Sequence, residues 1–351
     1  MSFRNLCPRA GPLTRLLLAC CALTGPAMAV PWDGPNDGPV AQPGKKIVYV
    51  AQDMRNGGIS GVFRGLQEAT RQLGWQLSYV DGGGNAAAAT SLFAEAVQHH
   101  PDAIAIGGFG IEELTVPVAF AQDTNIVLVG WHAAAQPGPT DALFVNVATD
   151  PAAVAQAAAD YVIWNASGPV GAVLINDGRF SVANAKTQKI KEILESCATC
   201  SVLAVEDIKI SEASALIPDV IRRLNLTYAA RWTHTIAVND VYFDNMNFPL
   251  REIGRLDIRN ISAGDGSARS LERIRTGYSQ QVATVAEPLT LQGWQLADEM
   301  NRAFAGVAPS GYVSKPILIT RQVLEALGDV PIDSTIPFEA RYAAIWHGKV
   351  P

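Results

Sequence analysis

Cysteine is scarce in this 351-residue chain, whose five cysteines are too few for a disulfide-stabilised scaffold. No apolar run after residue 30 reaches the roughly 18 residues that a membrane-spanning helix needs. Basic residues are in the minority, with 27 Lys and Arg against 33 Asp and Glu, and an acidic chain is poorly suited to binding nucleic acid. The remaining composition, 48% hydrophobic and 17% charged, is typical of a globular protein of about two domains.

Motifs that would indicate an enzyme or a cofactor are also missing. Residues 57–61 place a serine in a glycine-rich turn, but not at the spacing of the Gly-x-Ser-x-Gly nucleophile elbow. No Gly-x-x-x-x-Gly-Lys-Ser/Thr phosphate-binding sequence occurs, and residues 82–84 do not complete a dinucleotide-binding fingerprint. His99 and His100 lack further metal ligands at a suitable spacing. The sequence therefore predicts no catalytic residue, no cofactor and no metal.

The first 29 residues have the features of a cleaved export signal. Arg4, Arg9 and Arg15 precede the apolar stretch 16–24, and a small-residue sequence ends at Ala29. Nine apolar residues cannot cross a bilayer, which favours cleavage after about Ala29 over a membrane anchor. Removing three arginines and no acid leaves 24 basic against 33 acidic residues, a net charge of −9. We therefore expect a protein that is exported to the periplasm.

Only two cysteines remain after such cleavage, Cys197 and Cys200. An exported protein meets an oxidising compartment, so we favour a local disulfide between them over free thiols or a metal site. A redox-active Cys-x-x-Cys pair would stand at the start of a helix, whereas this pair follows a helical pattern and precedes a strand. The sequence therefore favours a structural role for the two cysteines.

The body of the chain alternates strand patterns with helical patterns. Residues 30–44 are rich in proline and glycine and predict a flexible leader. Short apolar runs then predict strands at 46–51, 75–80, 103–107, 126–130, 170–175, 202–205, 234–238 and 258–263. Helical patterns separate them, and the rhythm restarts at Asp150, a predicted N-cap. Two such α/β halves predict two Rossmann-like lobes with parallel sheets, whose cleft binds a ligand at the strands' carboxyl ends.

Several landmarks in this order resemble those of periplasmic sugar-binding proteins of ABC importers, close to the ribose-binding type. They are Asn56 with the helix pattern up to Gly74, the strand end at residues 237–240, the sequence 262–266, and residues 282–288 before a further helix. The resemblance implies the hinged type I fold, with three crossings between the lobes. It implies an N-terminal lobe of 45–147 plus 288–314 and a C-terminal lobe of 148–287 plus 315–328. A tail, 329–351, would pack back on the body.

The resemblance also indicates candidate ligand-binding residues in the C-terminal lobe. Asn239 and Asp265 end predicted strands and match the family's hydroxyl-binding positions, although both residue types are also common in turns. Glu287 stands where the family has a polar residue near the hinge, and a hinge contact is its alternative role. Lys186 lies near the family's ligand arginine but within an exposed-looking helix. Asp177 and Arg179, after strand 170–175, are alternates.

In the N-terminal lobe the candidates are Asp53 and Asn56 at the end of the first strand. The residues that follow Asn56 depart from the family, because glycines and an isoleucine occupy 57–59 where aromatic side chains usually stack on the sugar. Trp131 at the end of strand 126–130, or Phe109 at the end of strand 103–107, would supply that stacking surface. His132 would exchange hydrogen bonds with ligand oxygens, although a core position for Trp131 and a surface position for His132 also fit the pattern.

The predicted function is a periplasmic solute-binding protein that is not an enzyme. It would act as a monomer, capture a sugar, polyol or furanone-like small molecule and deliver it to a membrane ABC permease. The candidate carboxylates argue against an anionic ligand and leave a cationic one as a second possibility. A sensing module for a chemoreceptor or sensor kinase is the main alternative, and a secreted hydrolase is a further one.

Overall fold

The computed structural model describes residues 31–349, so the predicted signal sequence and its cleavage site at Ala29 lie outside the described residues. Its first sheet is parallel and has the strand order β2-β1-β3-β4-β5. In chain order the elements of this N-lobe are β1 (Lys46–Ala51), α1 (Gly57–Leu73), β2 (Gln76–Asp81), α2 (Ala86–Gln98), β3 (Ala103–Gly107), α3 (Thr115–Asp123), β4 (Val127–Trp131) and β5 (Val145–Val147).

A second sheet forms the core of the C-lobe, with the strand order β11-β10-β9-β8-β6-β7. All its neighbouring strands are parallel except β11, which pairs antiparallel with β10. The chain continues through α4 (Pro151–Asn165), β6 (Val170–Asn176), α5 (Ser181–Ser196), β7 (Cys200–Asp207), α6 (Ala213–Tyr228), β8 (His234–Ala237), α7 (Val241–Glu252), β9 (Arg259–Ser262), α8 (Ala268–Thr276), β10 (Gln281–Ala286), α9 (Leu289–Phe304), β11 (Ile317–Thr320), α10 (Arg321–Leu327) and α11 (Phe338–Trp346). Two α/β lobes with mostly parallel sheets confirm the predicted fold class.

Three connections join the lobes, at 148–150, 287–288 and 305–316. The second returns the chain to the N-lobe, where α9 packs on α1, β4 and β5. Residues of α9 from Gln292 to Arg302 are all buried, so this helix is covered on every side. The third connection leads back to β11. The exact lobe bounds inferred from the resemblance stay a prediction.

The C-terminal tail lies against the N-lobe. Trp346 of α11 stacks on Trp294 of α9, with ring centroids 5.4 Å apart and planes 4° from parallel. Its indole N–H donates to Asp298 at 2.9 Å. Phe338 and Tyr342 are buried in the same apolar cluster. This aromatic cluster joins the end of the described chain to α9 of the N-lobe.

The segment 31–44 differs from the flexible leader that its composition predicts. Asn301 of α9 donates to the carbonyl oxygens of Pro39 and Val40, and accepts from the backbone N–H of Gln42 at 2.9 Å. Trp32 meets Tyr342 edge-on, with centroids 5.5 Å apart. Proline and glycine keep this backbone extended, but polar groups on α9 supply its missing hydrogen-bond partners, which local composition does not reveal.

Cys197 and Cys200 are joined by a disulfide between the end of α5 and the start of β7. The disulfide is at the C-terminal end of α5, about 20 Å along the helix axis from its first turn, at 1.5 Å per residue. That first turn follows the carboxyl end of β6. The disulfide therefore lies away from the carboxyl ends of the strands. Among the helices of residues 31–349, none combines the length and apolar character needed to cross a membrane.

Candidate functional site

A cavity of about 470 Å³, part of it open to solvent, lies between the lobes at the carboxyl ends of both sheets. The N-lobe contributes residues from the end of β4 and from the segments that follow β1, β3 and β4: Asn56, Ile59, Gly108, Trp131 and His132. The C-lobe contributes residues after β6, β7, β8 and β9 and from the first turns of α5: Asp177, Phe180, Val182, Ala183, Lys186, Ile210, Val238, Asn239 and Asp265.

Six of the nine candidate residues predicted from the sequence line this cavity: Asn56, Trp131, His132, Lys186, Asn239 and Asp265. The other three, Asp53, Phe109 and Glu287, lie outside its lining. Asp53 and Phe109 both follow strand ends, as predicted. However, Asp53 is paired with Arg55, and Phe109 packs in the N-lobe core.

Asp53 is engaged by its near neighbour Arg55. The guanidinium donates to both carboxylate oxygens at 2.8 Å, and the Arg55 backbone N–H donates as well, at 3.0 Å. Phe109 is only 5% exposed and packs in the N-lobe core with Ile111 and Leu114. The stacking role proposed for Phe109 therefore finds no support in its position.

Glu287 is fully buried and lies at the hinge. Its carboxylate accepts from His132 Nε2 at 2.9 and 3.0 Å, from Gln292 Nε2 at 3.0 Å and from Lys186 Nζ at 3.5 Å. The Thr149 N–H of the first connection also points to it, at 3.5 Å. Gln292 in turn donates to the hydroxyl of Ser314, in the third connection. Glu287 thus links all three connections between the lobes.

The electrostatic consequence of this arrangement is a carboxylate that stays ionised. Burial raises the pKa of Glu287, but attraction to His132 and Lys186 and the hydrogen bonds from His132 and Gln292 outweigh it. The pKa of Glu287 therefore lies well below its usual value. A buried carboxylate with this many donors holds the nearby side chains in place.

Asp265 has the opposite electrostatic environment. Burial, with smaller contributions from Asp240 and Glu287, raises its pKa to about 7, although Lys186 opposes the shift. Its Oδ2 accepts a short hydrogen bond from Asn239 Nδ2. Asn239 Oδ1 is itself used by the N–H of Val241 at 2.9 Å, so Asn239 both forms the turn and positions Asp265. Asp265 has a backbone φ of 56°, a left-handed conformation that Asp tolerates better than most residues.

Asn56 begins α1, and the two glycines that follow it lie against the C-lobe. Its Oδ1 caps α1 by accepting from Gly58 N–H at 2.8 Å. A Cβ added to Gly58 would lie 2.7 Å from Trp131 and 3.0 Å from Asp265, and one added to Gly57 would lie 2.8 Å from the Cβ of Ser267. The C-lobe thus approaches the start of α1 too closely for larger side chains. The lobes are in contact, which is a closed arrangement.

Trp131 and His132 present a polar and an aromatic surface side by side. The Trp131 indole N–H donates to Gln292 Oε1 at 2.8 Å, and its ring meets that of His132 edge-on. With Nε2 bound to Glu287, the Nδ1 atom of His132 is buried and has no hydrogen-bond partner among the described residues. His132 also has a positive φ, of 50°. Strain and unused hydrogen-bonding capacity are frequent at ligand sites.

Lys186 is only 3% exposed, although the sequence pattern of α5 predicts an exposed face there. Its neighbours Lys189 and Gln188 are the polar residues that make the helix look solvated, and they lie outside the cavity. The cavity also has lining residues that the sequence analysis does not identify, among them Phe180, Val182 and Ile210. Phe180 and Ile210 lie just after the carboxyl ends of β6 and β7, so their position after a strand could have identified them from the sequence. Val182 is identified only once Lys186 is known to face the cavity, because the two residues are one helical turn apart on the same face of α5.

Comparisons with known proteins place this geometry in a family. A family model described as a periplasmic binding protein domain matches residues 47–307. No curated protein matches the chain. Among solved structures, a sugar ABC transporter protein from Yersinia enterocolitica is 17% identical with a TM-score of 0.74, over 88% of this chain and 96% of that one.

Two further structures show the same fold. An ABC sugar transporter subunit from Rhodobacter sphaeroides is 20% identical, with a TM-score of 0.68 over 80% of this chain and 99% of that chain. A myo-inositol binding protein from Caulobacter, bound to myo-inositol, is 18% identical, with a TM-score of 0.69 over 80% of this chain and 95% of that chain. The chain belongs to the periplasmic binding protein family and has its two-lobed fold. Members of this family are binding proteins rather than enzymes, in agreement with the function predicted from the sequence.

No group of three or more His, Cys, Asp or Glu side chains that could hold a metal ion occurs within the part of the chain that the structure describes.

Proposed function

We propose that this protein captures a neutral sugar or sugar-like polyol between its lobes and delivers it to an ABC permease. The observation that carries this proposal is that side chains with unused hydrogen-bonding capacity, contributed by both lobes, line one cavity. Among the described residues His132 Nδ1 has no partner, and the Lys186 ammonium has only the long contact with Glu287. Each buried polar group without a partner costs about 1–3 kcal/mol, which a ligand hydroxyl would recover.

The charges in the cavity support a neutral ligand. Glu287 already balances Lys186 and His132, and Asp265 has a pKa of about 7 that places it between its neutral and ionised forms. An anionic ligand would face Asp265 without an arginine fork to receive it, because Arg179 is bound to Asp177. Hydroxyl groups, which both donate and accept, suit the side chains of Asp265 and His132. Sugars, polyols and furanone-like diols all offer such groups.

Closure follows from contacts to both lobes. A ligand that touches His132 on one side and Asp265 on the other stabilises only the state in which both are near, so binding shifts the population toward the closed form. The closed form would then be recognised by the permease in the membrane. The cavity is complete within one chain, which supports action as a monomer in the periplasm after removal of residues 1–29.

Ligand-induced stabilisation tests the proposal. The purified protein is heated with pentoses, hexoses, inositols, linear polyols and furanones, and a ligand at 100 times its Kd should add about 2.7 kcal/mol to the free energy of unfolding. Asp265→Asn keeps the left-handed backbone and should lose this stabilisation, whereas Asp219→Asn, on an exposed ion pair, should keep it. Absence of stabilisation by every polyhydroxylated compound would contradict the proposal.

A further inference from the structure

Asp177 lines the cavity, but its carboxylate has no free acceptor position for a ligand hydrogen bond. Its Oδ1 accepts from the Nε and the backbone N–H of Arg179, and its Oδ2 accepts from Arg179 Nη2 at 2.6 Å and from the Ile210 N–H at 2.9 Å. A carboxylate offers about four acceptor positions, and all four are used. Asp177 therefore shapes the wall at the end of β6 without offering a hydrogen bond.

That wall is apolar. Phe180, Val182 and Ile210 face the cavity beside Asp177. Val182 and Lys186 are four residues apart on α5 and share one face, so the lining changes from apolar to charged over a single helical turn, about 6 Å. Lys186 lies toward Glu287 and the hinge, whereas Val182 lies toward the start of the helix. The cavity thus has a polar end at His132, Lys186 and Asp265, and an apolar end at Phe180, Val182 and Ile210.

We propose that the ligand is an amphipathic polyol, with hydroxyls at one end and a deoxy, methyl or other alkyl group at the other. This inference rests on the proposed function and narrows its ligand class. A hydroxyl placed against Val182 and Ile210 would lose its water and gain no partner, which weakens binding. A methyl or methylene group in the same place buries apolar surface, and each CH₂ is worth about fourfold in affinity, or about 0.8 kcal/mol. The polar end needs two or three hydroxyls for its donors and acceptors.

Calorimetric titration of matched pairs tests the inference. The probes are D-ribose with 5-deoxy-D-ribose, D-galactose with D-fucose, and erythritol with 2-C-methylerythritol. We expect the deoxy or methylated member of at least one pair to bind tenfold or more tightly than its fully hydroxylated partner. Equal or tighter binding of every hydroxylated partner overturns the inference and leaves the proposed function intact. No binding of any of the six also overturns the inference, and the proposed function is then decided by the inositols and furanones of the thermal test.

A substitution in the apolar wall gives an independent readout. Val182→Thr preserves shape and adds a hydroxyl, so it should reduce the preference for the apolar-ended member at least threefold. Val205→Thr, on an exposed strand position, is the control and should leave the preference unchanged. Both variants are first compared with the parent by thermal unfolding, so that a folding defect is not mistaken for altered specificity. An unchanged preference in a folded Val182→Thr protein contradicts the assignment of this wall.

Discussion

Nε2 of His132 lies 2.9 and 3.0 Å from the two carboxylate oxygens of Glu287, joining the end of β4 in one lobe to the end of β10 in the other. These residues are 155 positions apart, so the contact exists only when the lobes are assembled. Because Glu287 also meets Lys186, Thr149 and Gln292, it fixes the geometry of the polar end of the cavity. The hinge and the site therefore share one buried carboxylate.

Glu287→Gln should lower the free energy of unfolding by about 3 kcal/mol at pH 7, because it leaves the buried Lys186 ammonium without its compensating charge. Since the folded-state pKa of Glu287 is depressed, its stabilisation is complete above the usual value of about 4.5 and is lost as pH falls below it. The difference from the parent should therefore shrink in acid. Urea denaturation at pH 7 and pH 3.5 measures it.

The matched control is Glu325→Gln, in an exposed pair with Arg321 where both side chains are 59% exposed. It should change the free energy of unfolding by less than about 0.5 kcal/mol. A Glu287→Gln protein as stable as this control would show that the carboxylate does not hold the hinge.

Asp265→Asn should stabilise the ligand-free protein at pH 8 but not at pH 4. The raised pKa of Asp265, about 7 in the folded protein against 3.8 otherwise, means that the folded state retains a proton that the unfolded state has lost. Stability of the parent therefore falls as pH rises from about 4 to about 7, by about 2 to 4 kcal/mol from this group, and asparagine avoids the loss. Urea titrations across this range check the result, and a pH-independent difference would refute it.

Gly57→Ala should weaken ligand binding about tenfold while leaving the melting temperature equal or higher. Alanine favours a helix start over glycine, but its Cβ would stand 2.8 Å from the Cβ of Ser267 in the closed form. The cost therefore falls on closure and not on folding. Gly168→Ala, with open space around the added Cβ, should not change affinity. Calorimetry with a bound polyol compares the two variants, and equal affinities would exclude this lobe contact from the bound state.

Trp346→Phe should lower the free energy of unfolding by about 2 to 4 kcal/mol. It removes the N–H that donates to buried Asp298 and shrinks the ring that stacks on Trp294. Trp164 is 78% exposed, so Trp164→Phe should have an effect within about 0.5 kcal/mol. Chemical denaturation of both variants makes the comparison. If the two substitutions are equivalent, α11 does not stabilise the N-lobe.

The sequence predicts the alternation of strands and helices well, because buried parallel strands are short apolar runs such as Ala103–Gly107. The short strands β5 and β11 carry too little pattern to be recognised, and they become strands through pairing with their neighbours. Likewise, the helix α9 is buried on every side by α1, α11 and the segment 31–44, which no local pattern reveals.

The sequence predicts the cavity-lining residues that directly follow the carboxyl end of a strand, such as Asn239 and Asp265. The same rule fails at Asp53, because Arg55 two residues later binds it, and at Phe109, which turns into the core. Lys186 looks exposed because the residues around it are polar, but it is buried, since its charge is balanced by Glu287, 101 residues away in the sequence. Long-range pairing of this kind decides which polar residues face the cavity, and a single sequence does not contain it.

The central claim is that one solute is held by both lobes at once. Its most direct test is calorimetric titration of a polyol that the parent protein binds into two variants, His132→Asn in the N-lobe and Asp265→Asn in the C-lobe. Asparagine is chosen because it tolerates the positive φ of both positions. We predict that each substitution lowers affinity at least tenfold. Loss of affinity from one lobe's variant alone, with the other binding as the parent does, would contradict the account.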